Sequence, residues 1–167
     1  LILVFILSFF IIVFNFYFSE KKKVIDCTFD IKNSLKDRIE AIREETETAV
    51  REGSTCIVLS DKDFSSQKAS IPSILTVGAV HSHLVKHGLR GYCSLNVECS
   101  DAMDTHSFAI LIGVGATTVN PYLAIDSIYQ RFEKKLFGKS DFETCVSKFK
   151  KSIDAGLLKI MSKMGIS

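Results

Sequence analysis

Paired cysteines are missing from this chain. Its five cysteines, Cys27, Cys56, Cys93, Cys99 and Cys145, stand far apart with no C-x-x-C among them. An odd, scattered set argues against a disulfide framework and reads as reduced thiols of an intracellular protein. Cys27 and Cys56 lie in strand-like runs, where cysteine behaves as a small hydrophobe. Charge of one sign is scarce as well: the net charge is +2. No basic face or stripe is available to a nucleic acid, and Lys21, Lys22 and Lys23 form only a local cluster. Methionine is absent before Met103, so the chain reads as part of a longer one.

A long apolar run is present, at residues 1–18, broken only by Ser8 and Asn15. As a helix it would span about 27 Å, close to the hydrocarbon thickness of a bilayer, with the three lysines as a cytoplasmic flank. The same run is rich in Phe, Ile, Leu, Asn and Tyr, the residues that AT-rich non-coding DNA yields when translated across a misplaced exon edge. Residues 1–23 are therefore a membrane anchor, an exon artefact or a signal-like segment, the last without a small-residue cleavage site.

From residue 24 onward, length and an apolar share of 47% allow a domain with a real core. Residues 24–29 (VIDCTF) and 56–60 are short, apolar and strand-like. Between them Ser34 and Asp37 form a capping box, and Leu35, Ile39, Ile42, Thr46, Ala49 and Val50 recur at helical spacing until Gly53. Ser70 and Pro72 open a second helix that runs to about His87 and stops at Gly88. Residues 94–98 make a third strand, 105–113 an apolar helix capped by Asp104, and 116–119 a fourth strand. Asn120 and Pro121 start the next helix. Beyond a boundary near 137–140, Ser140 and Glu143 cap a long helix carrying Phe142, Val146, Phe149, Ile153 and Leu157. Strand and helix alternate four times, which predicts an α/β fold, a mostly parallel sheet flanked by helices. Its ligand edge lies beyond the strand carboxyl ends, which supply Ser60, Asp61, residues 98–101 and Asn120.

Three patterns bear on chemistry. His83 and His87, four apart, share a helix face while His81 points nearly opposite. No acidic residue falls between them to act as a base, and a polar helix surface with hydrogen-bonded histidines is the simpler reading. Residues 113–118 (GVGATT) follow a helix and enter a strand, the reverse of a dinucleotide fingerprint, so they read as a tight turn needing positive φ. Asp61 at a strand exit has no histidine nearby in sequence for a nucleophilic relay and reads as a turn-fixing carboxylate.

Residues 154–167 (DAGLLKIMSKMGIS) mix cations, a hydroxyl and thioethers in a way that suits the edge of a flat, anionic ligand. With 57–61 (IVLSD), 71–84 (IPSILTVGAVHSHL), 88–90 (GLR) and 120–124 (NPYLA), they resemble, in order, the central domain and the opening of the flavin-binding domain of glutamate synthases. The resemblance covers residues 24–167. It divides the chain into the apolar segment 1–23, a central-type α/β domain at 24–138, and at 139–167 the first elements of an FMN-binding β/α barrel. Departures are Lys62 for an expected arginine, which loses a planar fork of donors, Ser82 and Ser107 for histidines, and Val114 for tyrosine.

That family makes L-glutamate from 2-oxoglutarate and glutamine-derived ammonia. The resemblance therefore implies FMN and an iron-sulfur cluster in the whole enzyme, an amidotransferase domain and a flavin domain as partners in the same polypeptide, and NAD(P)H or ferredoxin as electron donor. It implies no metal at the histidines and no catalytic residue in this stretch. Met161, Ser162, Lys163, Met164 and Gly165 would form the barrel's first strand and its exit beside the flavin, Lys163 favouring negative charge on the reduced ring and Ser162 donating a hydrogen bond. An ordinary buried strand is the plainer expectation there. From a different class, the chain could be a non-catalytic, membrane-anchored α/β interaction module.

Overall fold

The computed structural model describes residues 21–166, so the apolar segment at 1–18 and the anchor, exon-edge and signal readings attached to it lie outside the described residues. Among the described residues no helix is long and apolar enough to cross a membrane. In chain order the elements are β1 (Lys22–Asp26), β2 (Thr28–Asp30), α1 (Leu35–Arg51), β3 (Cys56–Ser60), β4 (Lys68–Ser70), α2 (Ser73–Lys86), a short 3-10 turn (Arg90–Tyr92), β5 (Ser94–Glu98), α3 (Thr105–Gly113), β6 (Thr118–Asn120), α4 (Tyr122–Glu133) and α5 (Phe142–Met164).

Strands β1, β3, β5 and β6 form one parallel sheet whose spatial order is the chain order. Right-handed crossovers between successive neighbours put every connecting helix on the same face. Accordingly α1 packs on α2 and α2 on α3. The register aligns Ile25, Leu59, Val97 and Val119 across the sheet. With Ile57 and Leu95 they meet Ile42, Val77, Val80, Leu84 and Phe108 from the helices in a single core. Residues on the alternate positions are more polar. There Thr118 Oγ1 donates to Asn96 Oδ1 (2.8 Å) and Asn96 Nδ2 donates to the Ile57 carbonyl (3.1 Å), which satisfies an amide that is only 3% exposed.

Helix starts follow the capping signals. Ser34 Oγ accepts from the Asp37 N–H (3.4 Å) at α1, and Asp104 Oδ1 from the Ser107 N–H (2.9 Å) at α3. At α5 the cap is Asp141, which accepts from the Thr144 N–H (2.6 Å), one residue beyond the expected Ser140. The single strand expected over 24–29 is two. Asp26 Oδ1 accepts from both the N–H and the hydroxyl of Thr28 (2.9 and 2.7 Å), an Asx-type turn that swings the chain out of the sheet. Thr28–Asp30 then pairs antiparallel with Lys68–Ser70.

The largest correction lies at the carboxyl end. No strand forms at residues 161–165. Met161, Ser162, Lys163 and Met164 complete α5, and Gly165 caps it in the left-handed conformation (φ 70°), with the Ile166 N–H donating to the Met161 carbonyl (2.9 Å). The local reason is propensity. Ala, Leu, Lys and Met dominate 155–164, all good helix formers, and nothing before Gly165 breaks the helix. The helix docks on α3 and α4, sends Ile153 and Leu157 into the common core, and lies so near Thr105 that a Cβ on Gly156 would come within 2.5 Å of its side chain.

Candidate functional site

The expected ligand edge exists, and it is closed by its own side chains. Asp61, carried just past β3 and 3% exposed, accepts four hydrogen bonds. Its Oδ2 takes the Ser70 hydroxyl (2.8 Å), the Ser100 N–H (3.0 Å) and the Ser100 hydroxyl (2.6 Å), while Oδ1 takes the Tyr122 hydroxyl (2.9 Å). Four donors replace the water that an ionised carboxylate loses on burial. Burial and the adjacent Asp61 push the Tyr122 phenol well above its ordinary range.

The neighbouring strand ends are tied in the same way. Asp101 accepts the N–H and hydroxyl of Ser73 (3.0 and 2.6 Å). This puts a carboxylate at the amino end of α2, where Pro72 offers no side-chain cap. Lys62 Nζ reaches Glu98 Oε1 (3.1 Å) and lies 5.3 Å from the Tyr122 ring centre, a single-point contact in keeping with lysine in place of arginine. Asn120 donates to the same Glu98 oxygen (3.4 Å) instead of capping α4. Cys99 beside this network and Cys27 are both pushed up to about 12 by burial, Asp101 adding to Cys99 and Asp26 to Cys27, so both thiols stay protonated.

Asp61, Asp101, Glu98 and Asn120 are thus brought together as the strand order requires. Ser100 falls within the expected strand exit at 98–101, while Ser70, Ser73 and Tyr122 complete the network without a signal at that edge. Met161, Ser162, Lys163, Met164 and Gly165 stand apart from it, at the exposed end of α5.

The histidines divide as their spacing requires. His81 turns toward the sheet's amino end, where its Nδ1 accepts from Arg90 Nε (3.1 Å) and its ring fills the space that a Cβ on Gly115 would need, 2.2 Å away. Gly115 has φ 116°, so the glycine-rich stretch is the tight turn expected, and Arg90 seals it by donating to the carbonyls of Cys93 (2.6 Å) and Gly115 (2.9 Å). His83 and His87 instead face α1, where His83 Nε2 lies 2.6 Å from Glu47 Oε2 and His87 Nδ1 lies 3.8 Å from the same atom. The acidic partner missing between the histidines in sequence is supplied by the neighbouring helix. Arg51 holds the other Glu47 oxygen (2.7 Å). Arg51 and His83 together draw the Glu47 carboxyl below its ordinary value.

Comparison with known proteins gives a consistent picture. The family model described as glutamate synthase central domain matches residues 12–167. The chain is 49% identical over 154 residues to the large chain of NADPH glutamate synthase from Azospirillum brasilense, covering 90% of this chain and 10% of that one. It is 41% identical over 151 residues to the corresponding large chain from Bacillus subtilis (strain 168), covering 88% and 10%. With ferredoxin-dependent glutamate synthase from Pyropia yezoensis it shares 42% over 149 residues, covering 83% and 10%. The chain therefore spans about a tenth of the length of these relatives.

Proposed function

Because the chain belongs to the glutamate synthase central-domain family, we propose that it is the part of a glutamate synthase that holds an amidotransferase site and a flavin site in register. In the whole enzyme the first site releases ammonia from glutamine. At the second, ammonia and 2-oxoglutarate condense to 2-iminoglutarate, which two electrons and two protons reduce to L-glutamate. FMN and an iron-sulfur cluster carry those electrons from NAD(P)H or ferredoxin, and their binding groups belong mainly to the other domains. On this reading residues 139–167 lead toward the flavin domain, with Met161, Ser162, Lys163, Met164 and Gly165 beside FMN and Lys163 facing the charge of its reduced ring.

The observation that supports a spacer role is the closure of the carboxyl edge. Where an α/β enzyme of this kind would present groups to a ligand, Asp61 is fully engaged by Ser70, Ser100 and Tyr122. A rigid edge is what a domain needs to fix the distance between two sites.

Two measurements test this. The purified chain, supplied with 2-oxoglutarate, ammonia, FMN and a reductant, is expected to form no glutamate, and steady glutamate production would overturn the reading. In the whole enzyme, Asp61→Ala is expected to leave glutamine hydrolysis running while ammonia escapes into solution and glutamine-dependent glutamate synthesis falls. Unchanged coupling with a demonstrably loosened domain would count against a spacer.

A further inference from the structure

The seam between α1 and α2 brings two histidines and a carboxylate from separate helices to one point. The ligand atoms of Glu47, His83 and His87 all lie within 4.8 Å of one another. A tetrahedral zinc ion with bonds of about 2.0–2.1 Å places neighbouring ligand atoms about 3.3 Å apart. The two separations to Glu47 Oε2, 2.6 Å from His83 Nε2 and 3.8 Å from His87 Nδ1, fall on either side of that spacing. Small side-chain rotations would equalise them, because His87 is 35% exposed and Glu47 21%. Arg51 grips Glu47 through Oε1, leaving Oε2 aimed at the histidines. Two imidazole nitrogens and one carboxylate oxygen are a donor set for a borderline divalent cation, and the exposed side leaves a fourth position for water.

We propose that Glu47, His83 and His87 form a binding site for a zinc-class divalent cation that clamps α1 to α2, with Arg43 as its built-in competitor. Arg43 Nε donates to His83 Nδ1 (3.3 Å), which fixes the tautomer carrying hydrogen on Nε2, the very atom that must bind the ion. His87 Nδ1 in turn donates to the His83 carbonyl (2.8 Å), so binding shifts one proton on each imidazole by way of solvent, from Nε2 to Nδ1 on His83 and from Nδ1 to Nε2 on His87, with no net change in charge, and it releases that carbonyl and turns Arg43 away. Glu40 is already in place to keep the released guanidinium, since both its oxygens accept from Arg43 Nη1 at 2.8 Å. The inference does not depend on the spacer reading, because the seam lies on the helices and not at the carboxyl edge.

The test is titration of the whole chain with Co2+ followed by competition with Zn2+. Saturable visible absorption without a thiolate-to-cobalt charge-transfer band, displaced by Zn2+, is expected. His87→Ala removes an exposed ligand and leaves the fold in place, and it should weaken Co2+ binding about tenfold or more. Arg43→Gln should strengthen it several-fold. Circular dichroism on both variants separates lost binding from lost folding. Absence of saturable absorption at millimolar Co2+, equal affinity in His87→Ala, or a thiolate band reporting cysteine ligands would overturn the site, and weaker binding in Arg43→Gln would overturn the role given to Arg43.

Discussion

Asp61 and Glu47 are both carboxylates that collect several partners, and they are held in opposite ways. Asp61 is buried at the carboxyl edge, and the groups that satisfy it are three hydroxyls and one backbone N–H. Glu47 sits half-open between two helices and is held by a guanidinium and two imidazoles. Four donors close on a carboxylate that is almost shut off from water, so that edge is stiff. A guanidinium and imidazoles at a wet surface exchange readily with water and with one another, so the seam can be rearranged at small cost. The difference separates a part that holds shape from a part that can respond to what binds it.

The sharpest way to break the comparison is Asp61→Ala. It takes the acceptor from three part-buried hydroxyls and an N–H and should cost about 3 kcal/mol of unfolding free energy, read by chemical denaturation. A loss under about 1 kcal/mol would mean the edge is not the rigid part. The same variant should let Cys99 react with an alkylating reagent at neutral pH, whereas in the parent chain this thiol, pushed up to about 12 by burial, should label only through opening of the fold. Tyr122→Phe removes one donor to Asp61 and should cost about 1–2 kcal/mol. Glu47→Gln at the seam is expected to change stability by less than about 1 kcal/mol, and a larger loss would place both carboxylates in one class. Smallest of all is the exposed cap Asp141. Hydrogen bonds from the Thr144 N–H and hydroxyl depress its carboxyl below the usual aspartate range. A group depressed in the folded state stabilises fully above its unfolded pKa of about 3.9 and loses that contribution as pH falls through the lower folded value. The melting-temperature gap between the parent chain and Asp141→Ala should therefore stay level from pH 7 to about pH 5 and shrink below about pH 3.

Periodicity carried most of the fold. Residues 56–60, 94–98 and 105–113 were legible as β3, β5 and α3 because each run is short, strongly apolar and bounded by a cap or a turn. The β2–β4 pair was not, because what creates it is one hydrogen-bonding side chain, Asp26, acting on the residue two ahead. The ending of α5 follows propensity at 155–164, where Ala, Leu, Lys and Met outnumber Gly156, Ile160 and Ser162, and not the strand that likeness to the family implies. At the carboxyl edge the strand exits pointed to Asp61, Glu98, Asp101 and Asn120. Ser100 lay within the strand exit at 98–101, whereas Ser70 and Tyr122 carried no signal because their role exists only once separate segments converge. The pairing of His83 with His87 followed from spacing, while Glu47, 36 residues upstream of His83, could be found only from the packing of two helices.

A sheet laid down in the order in which it is spelled has a consequence for biosynthesis. Each strand of β1, β3, β5 and β6 needs only the one before it, so every partner is already out of the ribosome when the next strand emerges. The domain can grow one β-α unit at a time, and no early strand must wait, edge exposed, for a distant mate. In relatives roughly ten times the length of this chain, a module that completes itself on emergence would give later segments a finished surface to settle against.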